Sequence, residues 1–338
     1  MKSHLLKFYI LKALLLIKVI SFLKLWNYLD ILFSFLLSKI LKYSEKMPLP
    51  FAVSIEPTTN CNLSCPECFL GAGNLTRNSG SMNLETFSKI TAQLPNSITY
   101  LNLYFQGEPL LNKDFIEMLK LAKCKNYFVS FSTNAHAITD KVAQKIVEAK
   151  PDHIIVSIDG YDQDSYQKYR IKGDFETVLK GVSELVKAKK SAKQFYPLIE
   201  VQCLVFSHNE NKLKEIEKTA ISLGVDLVNF KSAQIQNTET YSVFLPQSPE
   251  YLRYKKNTDG KYVLKKPRKA GCFRMWSGFV ITWDGNVIPC CFDKNAEYSY
   301  GNIIDSSFEE IWNGKKHKAF SKNILKNINS IAICRNCI

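Results

Sequence analysis

Three cysteines close together constrain this chain more than any other feature. Cys61, Cys65 and Cys68 form a Cys-x3-Cys-x2-Cys pattern directly after an apolar, strand-like stretch at residues 51–55. Thiolates this close along a chain suit one soft metal centre. Three thiolates hold three irons of a four-iron cluster and leave one iron open to a ligand, which predicts chemistry at the end of a strand. Taken alone the spacing also fits zinc, since Cys-x2-Cys pairs often bind that metal.

A second group of cysteines lies near the C-terminus. The pattern is Cys272-x12-Gly285-x4-Cys290, a long gap, and then Cys334-x2-Cys337. Four thiolates close a metal cluster completely, which suits electron transfer rather than substrate binding. The alternative is a structural zinc knot with the same four ligands. The adjacent Cys291 fits three interpretations: a spare thiol, an alternative ligand, or a neighbour that tunes the cluster.

Cysteine usage also predicts the compartment. Seven of the ten cysteines fall in these two patterns, and no cleavable secretory signal is evident. We therefore expect a reducing environment and a cytoplasmic protein. Cys124 and Cys203 lie in apolar surroundings and are predicted to be buried structural thiols.

The first 47 residues differ in character from the rest of the chain. Leu, Ile and Phe dominate residues 5–41, but the longest uncharged run, 31–38, is far shorter than the roughly 20 residues that span a bilayer. The pattern fits two amphipathic helices lying in a membrane interface, on its inner face. The alternative is a helical hairpin packed on the main domain or on a partner. The polar faces comprise His4, Lys7, Lys18 and Ser21 in the first helix, and Lys24, Asn27, Ser34, Ser38 and Lys42 in the second.

The net charge of +14 is unevenly distributed. Residues 1–50 carry eight lysines against Asp30 and Glu45, which leaves +6, and a second basic run occupies 253–269. No nucleic-acid-binding motif accompanies either patch, so nucleic acid is not an expected partner. An anionic membrane surface or a solvated loop accounts better for this charge.

From residue 51 the chain alternates between strand and helix patterns, which predicts a parallel sheet covered by helices. Six such units are too few for a complete eight-fold barrel, so we predict an α/β fold, a partial (β/α)6 parallel barrel, with its site at the C-terminal ends of the strands. The predicted strands are 51–56, 98–104, 127–132, 153–158, 199–206 and 225–230, and the predicted helices are 84–94, 112–123, 139–149, 174–191 and 211–223.

The C-terminal part predicts a small α+β domain. A hairpin is expected over 280–288, with Asp-Gly at the turn, and a helix over 307–321. The predicted segments are an amphipathic extension at 1–47, the barrel at 48–235, a basic connector at 236–270 and the small domain at 271–338.

Over residues 51–338 these motifs resemble the radical S-adenosylmethionine (SAM) enzymes. The resemblance implies a four-iron cluster on Cys61, Cys65 and Cys68 that binds SAM through its open iron and yields a 5′-deoxyadenosyl radical. It also implies a flavodoxin- or ferredoxin-like electron donor. The C-terminal cysteines resemble the smaller "twitch" form of the SPASM extension, which implies one auxiliary four-iron cluster on Cys272, Cys290, Cys334 and Cys337.

Further motifs extend the resemblance to SAM binding. Residues 105–109, Phe-Gln-Gly-Glu-Pro, resemble the Gly-Gly-Glu-Pro motif that contacts the methionine amino group, although Gln106 replaces its first glycine. Polar triplets after the third and fourth strands resemble those that bind the ribose or the carboxylate; alone each would be a helix-capping turn. Glu67 stands where many relatives have an aromatic residue near adenine, which leaves Phe69 as a weak substitute. The implied SAM contacts are Gly107, Glu108, Ser132, Asn134, Ser157 and Asp159.

Three hypotheses of function follow. The first is a radical SAM oxidoreductase acting on a lipid-linked or envelope-glycan precursor, because the N-terminal segment suggests work at a membrane surface and no peptide-recognition domain precedes the barrel. The second is a maturase of a peptide or protein, of the kind that matures sulfatases or crosslinks ribosomal peptides. The third is a zinc-binding structural or interaction protein. No catalytic acid or base is assigned; His136 and His153 are predicted to cap or pack.

Overall fold

Strands and helices alternate along the chain. The computed structural model describes residues 2–41, 47–236, 241–268 and 271–337; Lys42 and Glu45, named above, lie outside the described residues. The strands are β1 Ala52–Ile55, β2 Tyr100–Asn102, β3 Phe128–Thr133, β4 His153–Ser157, β5 Leu198–Val205, β6 Leu227–Ser232, β7 Tyr254–Lys256, β8 Tyr262–Leu264, β9 Gly278–Ile281, β10 Asn286–Ile288 and β11 Gly301–Asn302. The helices are α1 Lys2–Val19, α2 Phe22–Leu41, α3 Leu84–Gln93, α4 Phe115–Cys124, α5 Asp140–Glu148, α6 Gln163–Gln167, α7 Phe175–Ser191, α8 Leu213–Ser222, α9 Tyr241–Phe244, α10 Phe273–Ser277, α11 Phe308–Trp312 and α12 Lys315–Asn327.

The predicted alternating fold is confirmed. Strands β1 to β6 and helices α3, α4, α5, α7 and α8 each lie within three residues of their predicted bounds. Local chemistry explains several of the helix starts: the side chains of Asn83, Thr139 and Asp174 accept hydrogen bonds from backbone amides in the first turns of α3, α5 and α7.

The chain forms two compact units from interleaved segments. The first comprises Met1–Leu14, Cys61–Asn74 and Ser130–Lys266. Its sheet is parallel in the order β3-β4-β5-β6, with residues 130–133 of β3 pairing with 153–156 of β4. Apolar side chains of the strands, such as Phe131, Val156 and Val201, are completely buried, as expected for a parallel sheet covered by helices.

The second unit comprises Leu15–Asn60, Leu75–Val129 and Pro267–Ile338. Strand β1 pairs in parallel with β2 on one side and with β9 on the other. The hairpin β9–β10, predicted from its Asp-Gly turn, is present, and β11 pairs antiparallel with β10. The parallel pairing of β9 with β1 was not predicted, since hairpin signals are local and carry no information on distant partners.

Two C-terminal predictions need correction. The helix expected over 307–321 is two helices, α11 and α12, because the chain breaks at Asn313 and Gly314. The expected connector, 236–270, contains α9 and the hairpin β7–β8, whose turn holds Gly260 with a φ of +75°. The segment boundaries proposed from the sequence remain a prediction.

The prediction for Cys124 was wrong, and that for Cys203 is confirmed. Cys203 is completely buried on β5, whereas Cys124 is exposed at the last residue of α4. The buried face of α4 carries Phe115, Met118, Leu119 and Ala122. Cys124 is two residues beyond Ala122 and points away from that face, so its apolar sequence neighbours misled the prediction.

The N-terminal segment forms two helices, α1 and α2, as predicted. No helix of the described residues combines the length and the low charge that crossing a membrane requires.

A histidine in the core of the second unit couples this part of the fold to pH. His317, 1% exposed on α12, packs between Trp312 and Tyr300, with ring centroids 4.1 and 4.7 Å away. Its Nδ1 lies 2.5 Å from the Trp312 carbonyl oxygen, to which it donates. Burial lowers the pKa of His317 from 6.5 to about 4, so the folded chain keeps the ring neutral.

We expect stability to fall as the pH falls through this range. The unfolded chain binds a proton at His317 near pH 6.5, whereas the folded chain resists until about pH 4. The stability contributed by the neutral ring is therefore complete above pH 6.5 and is lost towards pH 4, by about 3 kcal/mol. Urea unfolding from pH 7.5 to 4 should show a shallower loss in His317→Gln than in the wild type. His4→Gln, on exposed α1, is the matched control; identical slopes in all three proteins would contradict the assignment.

Candidate metal centres

The loop that carries the first three cysteines is held tightly by its own backbone. Cys65 is buried, Cys68 half-buried and Cys61 exposed. The Cys68 amide donates to the Cys65 carbonyl oxygen at 3.1 Å, and the Ala72 amide donates to that of Cys68 at 2.8 Å. A Cβ atom on Gly71 would lie 2.6 Å from the backbone nitrogen and oxygen of Cys65. Only glycine therefore allows the loop to close around Cys65.

A buried ion pair, which the sequence did not reveal, lies against the same loop. Arg170 donates from Nε to Asp159 Oδ2 at 2.6 Å, and from Nη1 to Cys65 Sγ at 3.8 Å. Asp159 is completely buried, and its Oδ1 accepts from the Leu204 amide at 2.6 Å. The described contacts thus engage both carboxylate oxygens. The predicted contact of Asp159 with SAM remains a prediction.

The electrostatics at Cys65 depend on this arginine. Burial raises the pKa of the Cys65 thiol to about 11, and the Arg170 charge acts in the opposite direction. Metal coordination requires the thiolate, so a fixed cation beside the sulfur favours the form that binds iron. Burial by itself would lower the pKa of Arg170. The nearby Asp159 and Cys65 outweigh that effect and hold the pKa well above its usual value.

The polar triplet after β3 contacts the cysteine loop directly. Asn134, which is buried, donates from Nδ2 to Asn62 Oδ1 at 2.7 Å, next to Cys61 in the chain. His136 accepts at Nε2 from the Asp174 amide, at the start of α7. Ser132 and Ser157 are half-buried on β3 and β4.

Glu67 has a structural contact in place of the aromatic residue expected from relatives. Its carboxylate is 5% exposed and accepts from the Gln236 amide at 2.6 Å, beyond the end of β6. Cys65 packs in an apolar cluster with Leu63, Tyr169 and Phe206, and Cys68 lies against the same cluster. These contacts position the cysteine loop within the first unit.

Gly107 and Glu108 lie in the second unit. Gly107 has a φ of +71°, and a Cβ atom there would lie 2.3 Å from the Thr58 carbonyl oxygen, so only glycine fits. Glu108 is 2% exposed; its amide donates to the Asn60 carbonyl oxygen, and its Oε1 accepts from the Leu110 amide. Gln106 is buried. The resemblance to Gly-Gly-Glu-Pro thus corresponds to a tight turn against residues 58–60, and the ligand contacts remain predictions.

The C-terminal cysteines converge on one pocket of the second unit. Its other walls are largely apolar and include Phe292, Phe320 and Ile324. Burial raises the pKa of Cys334 to about 12 and that of Cys337 in the same direction, and the neighbouring cysteines add to the rise for Cys334. Thiols whose charged forms repel one another in a largely apolar pocket suit a shared cationic centre. The cysteines that line the pocket are Cys272, Cys290, Cys334 and Cys337.

Cys291 is not among the cysteines that line this pocket, although it lies close enough to add to the rise in the pKa of Cys290 and Cys337. It lines a second cavity of about 380 Å³, and its Sγ accepts from Arg274 Nη1 at 2.7 Å. Of the three interpretations left open by the sequence, the pocket geometry favours a neighbour of the ligands over an alternative ligand. Arg274 and Cys290 line both the pocket and the cavity, so one short segment separates the two.

Polar and basic side chains are among those that line the cavity. Ser54 on β1 and Asn102 on β2 face it, because alternate residues of a strand point the same way. The Lys294 ammonium lies 4.8 Å from the centre of the Phe105 ring. No carboxylate of the described residues forms an ion pair with Lys294, which therefore offers a positive charge to a ligand. Neither Lys294 nor Arg274 was singled out from the sequence, since both lie outside any spacing pattern.

A second buried pair stabilises the same unit. Arg77 Nη2 lies 2.5 Å from Glu56 Oε1, and the side chains are 8% and 0% exposed. The other oxygen of Glu56 accepts from the Trp283 amide, and Arg77 Nε donates to the Lys294 carbonyl oxygen. The pair thus connects β1 to the backbone on the rim of the cavity. Breaking one partner of such a pair is costly, because a buried charge is left uncompensated.

The donor sets fit iron–sulfur clusters in chemical type. Three thiols share one loop, four thiols line one pocket, and thiolates are the ligands that these clusters prefer. Among the described residues, no three His, Cys, Asp or Glu side chains lie close enough to hold a single metal ion.

Two family models match the chain. One, described as the radical SAM superfamily, covers residues 55–204, and the other, SPASM, an iron–sulfur cluster-binding domain, covers residues 272–338. These ranges contain all seven predicted ligands.

Individual proteins are similar over most of the chain. The tungsten-containing aldehyde ferredoxin oxidoreductase cofactor-modifying protein of Pyrococcus furiosus is 27% identical over 307 residues, 80% of this chain and 84% of that protein. Mycofactocin maturase MftC of Mycobacterium tuberculosis is 22% identical over 316 residues, 88% and 78% of the two chains. The structure of anSMEcpe with AdoMet and the Cp18Cys peptide has a TM-score of 0.56 at 19% identity, covering 82% of this chain and 84% of that one, a likeness of fold.

We expect Gly71→Ala to weaken the first centre selectively. The added methyl group displaces the Cys65 backbone, so iron and sulfide per chain should fall towards the content of the C-terminal centre alone. Gly73→Asn is the control, since nothing lies within 4 Å of a Cβ atom there and asparagine tolerates its φ of +75°. Iron analysis and electron paramagnetic resonance of both variants would decide; full iron in Gly71→Ala contradicts the assigned geometry.

The four-cysteine assignment predicts different outcomes for the removal of Cys334 and of Cys291. Cys334→Ala should lose the C-terminal iron, because it removes a sulfur from the shared pocket, whereas Cys291→Ala should retain it. Both variants should be measured in a Cys61/Cys65/Cys68→Ala background, which removes the predicted ligands of the first centre. Loss of iron in Cys291→Ala with retention in Cys334→Ala would reverse the assignment.

Proposed function

Because the chain belongs to the radical SAM superfamily and carries a SPASM iron–sulfur domain, we propose that it is a maturase that modifies a peptide or protein. Enzymes of this superfamily use SAM and a four-iron cluster, and the SPASM domain adds auxiliary iron–sulfur chemistry. The proposal concerns the substrate, the residues that act on it and the ligands of each cluster.

We assign the SAM-binding cluster to Cys61, Cys65 and Cys68, and one auxiliary cluster to Cys272, Cys290, Cys334 and Cys337. The first cluster, when bound with SAM and reduced, supplies a 5′-deoxyadenosyl radical that abstracts hydrogen. The residues of the chain position these groups. Arg170 holds a positive charge beside Cys65, and Gly71 allows the cysteine loop to close.

The observation that carries the substrate proposal is the 380 Å³ cavity beside Cys290 and Cys291. Its volume is in the range of small-ligand sites and admits a few side chains of a peptide, not a folded domain. Lys294 and Arg274 on its rim suit a carboxylate of the peptide. Cys290, one of the four residues that would hold the auxiliary cluster, lies in the same wall, so that cluster, when bound, would supply an electron acceptor near the substrate.

The relatives favour this proposal over a lipid-linked or glycan precursor. One is named a maturase and another a cofactor-modifying protein, and a solved structure of similar fold holds a peptide. Neither of these two relatives is named for a lipid-linked or glycan substrate. The zinc-binding hypothesis has less support still, because the C-terminal match is to an iron–sulfur domain.

The test is a product assay under anaerobic conditions. The reconstituted chain, with SAM and a strong reductant, is incubated with synthetic peptides encoded by short reading frames beside its gene, and separately with a polyprenyl-diphosphate-linked sugar. We expect 5′-deoxyadenosine to rise with a peptide and the peptide mass to change. The Cys61/Cys65/Cys68→Ala variant should form no 5′-deoxyadenosine.

The cavity provides an internal control. Lys294→Met should raise the KM for the peptide by about tenfold, the loss of one charge-assisted contact, while 5′-deoxyadenosine formation without substrate stays unchanged. Modification of the sugar and not of any peptide would overturn the proposal. If a peptide is modified but its KM is unchanged in Lys294→Met, the cavity is not the peptide-binding site.

A further inference from the structure

Helix α2 packs against the protein with the face that carries several of its polar side chains, and it leaves a row of large apolar side chains exposed. Its polar side chains point inward: Lys24 Nζ donates to the Asn126 carbonyl oxygen at 3.2 Å, and Asn27 Nδ2 donates to that of Leu49 at 2.8 Å. Ser34 Oγ accepts from Trp276 Nε1 at 3.3 Å, and Ser38 is 1% exposed. An amphipathic helix of a soluble protein normally buries its apolar stripe instead.

The opposite face of α2 is apolar and exposed. At 3.6 residues per turn, six large side chains share this face without an intervening polar residue. Asp30 and Lys39 lie on its two borders. The six residues, with their exposed fractions, are Phe22 77%, Trp26 64%, Leu29 50%, Phe33 67%, Leu36 59% and Ile40 77%.

Exposed apolar surface is concentrated in the N-terminal helices. Of the 25 exposed large hydrophobic side chains of the described residues, 18 lie between Leu5 and Leu41. Contiguous apolar surface of this kind marks a site of interaction with protein or lipid. Since no described helix is suited to cross a membrane, a surface that lies in the interface plane is the relevant lipid geometry.

The positive charge of residues 1–46 favours an anionic lipid surface over a second copy of this chain as the binding partner of the apolar face. Residues 1–46 carry eight lysines against Asp30 and Glu45, a net charge of +6, and Lys7, Lys18 and Lys39 are exposed. A second copy of this chain would bring two such segments together and add repulsion. Anionic phospholipid headgroups attract the lysines, while the acyl boundary accepts Phe, Leu and Trp.

We propose that the outward face of α2, Phe22 to Ile40, binds an anionic phospholipid surface as an interfacial helix. The inward contacts of Lys24, Asn27 and Ser34 fix the rotation of α2 about its axis, so the apolar face is presented outward before binding. The inference does not depend on the substrate, because α2 contributes no residue to the cysteine loop or to the cavity.

The experiment is sedimentation of the full chain with vesicles. We expect strong binding to vesicles of phosphatidylglycerol mixed with phosphatidylcholine, and weaker binding to phosphatidylcholine alone or at high salt. The Leu29→Gln/Phe33→Gln/Leu36→Gln variant should bind at least about tenfold more weakly, since three apolar contacts are lost. Leu111→Gln/Val263→Gln/Ile304→Gln removes exposed apolar side chains elsewhere and should bind as the wild type does.

A spectroscopic measurement reports on α2 itself. Of the four tryptophans, Trp276 and Trp312 are buried and Trp283 is half-buried, whereas Trp26 is 64% exposed on the outward face of α2. Brominated lipid should therefore quench Trp26 fluorescence, and Trp26→Phe should lose most of that quenching. The proposal is overturned if the wild type stays in the supernatant, if the α2 variant binds as well as the wild type, or if both vesicle types bind equally. Dimers that the α2 variant dissociates, without vesicle binding, would assign the face to a second copy. Formation of 5′-deoxyadenosine by each variant, measured without lipid, separates this result from failure of the proposed function.

Discussion

The buried ion pair between Asp159 and Arg170 joins the parts of the first unit that make a metal centre possible. Asp159 follows β4, accepts from the backbone of β5 at Leu204, and through Arg170 reaches the sulfur of Cys65. Its own carbonyl oxygen accepts from Asn209. Removing either charge would leave the other buried without its partner, a loss of several kcal/mol. The position of the cysteine loop therefore depends on a salt bridge between two nearby residues of the chain, whose arginine contacts a cysteine 105 positions away in the sequence.

In the second unit the four-cysteine pocket and the neighbouring cavity share residues of their walls. Cys290 and Arg274 line both the four-cysteine pocket and the neighbouring cavity, and Cys291 faces the cavity. A ligand in the cavity would lie within a few side-chain lengths of a centre bound in the pocket. Of these two adjacent cysteines, both line the cavity but only Cys290 also lines the four-cysteine pocket, at a bend that follows the end of β10.

Much of the fold follows from local patterns, and most of the remainder depends on contacts that such patterns do not contain. Alternation and capping predict β1 to β6 and five of the helices between them, though not the short α6, and cysteine spacing predicts which thiols share a centre. Arg170, Lys294 and Arg274 could not be identified in this way, because no periodicity distinguishes them from other basic residues. Cys124 shows the converse error: apolar neighbours in the sequence were taken as evidence of burial, although the helix turns that residue towards solvent.

Helix α2 shows where pattern and structure must be combined. The sequence identifies an apolar and a polar face, but an interfacial helix and a packed helical hairpin share that pattern. The structure supplies the direction: the polar side chains of Lys24, Asn27 and Ser34 have partners on the protein, whereas the six apolar side chains of the outward face are exposed. Turning the helix over would bury Phe22 and Phe33, but it would also sacrifice these hydrogen bonds and the buried positions of Ile31 and Ser38. The inward polar contacts are therefore the reason that the apolar face is available to another surface.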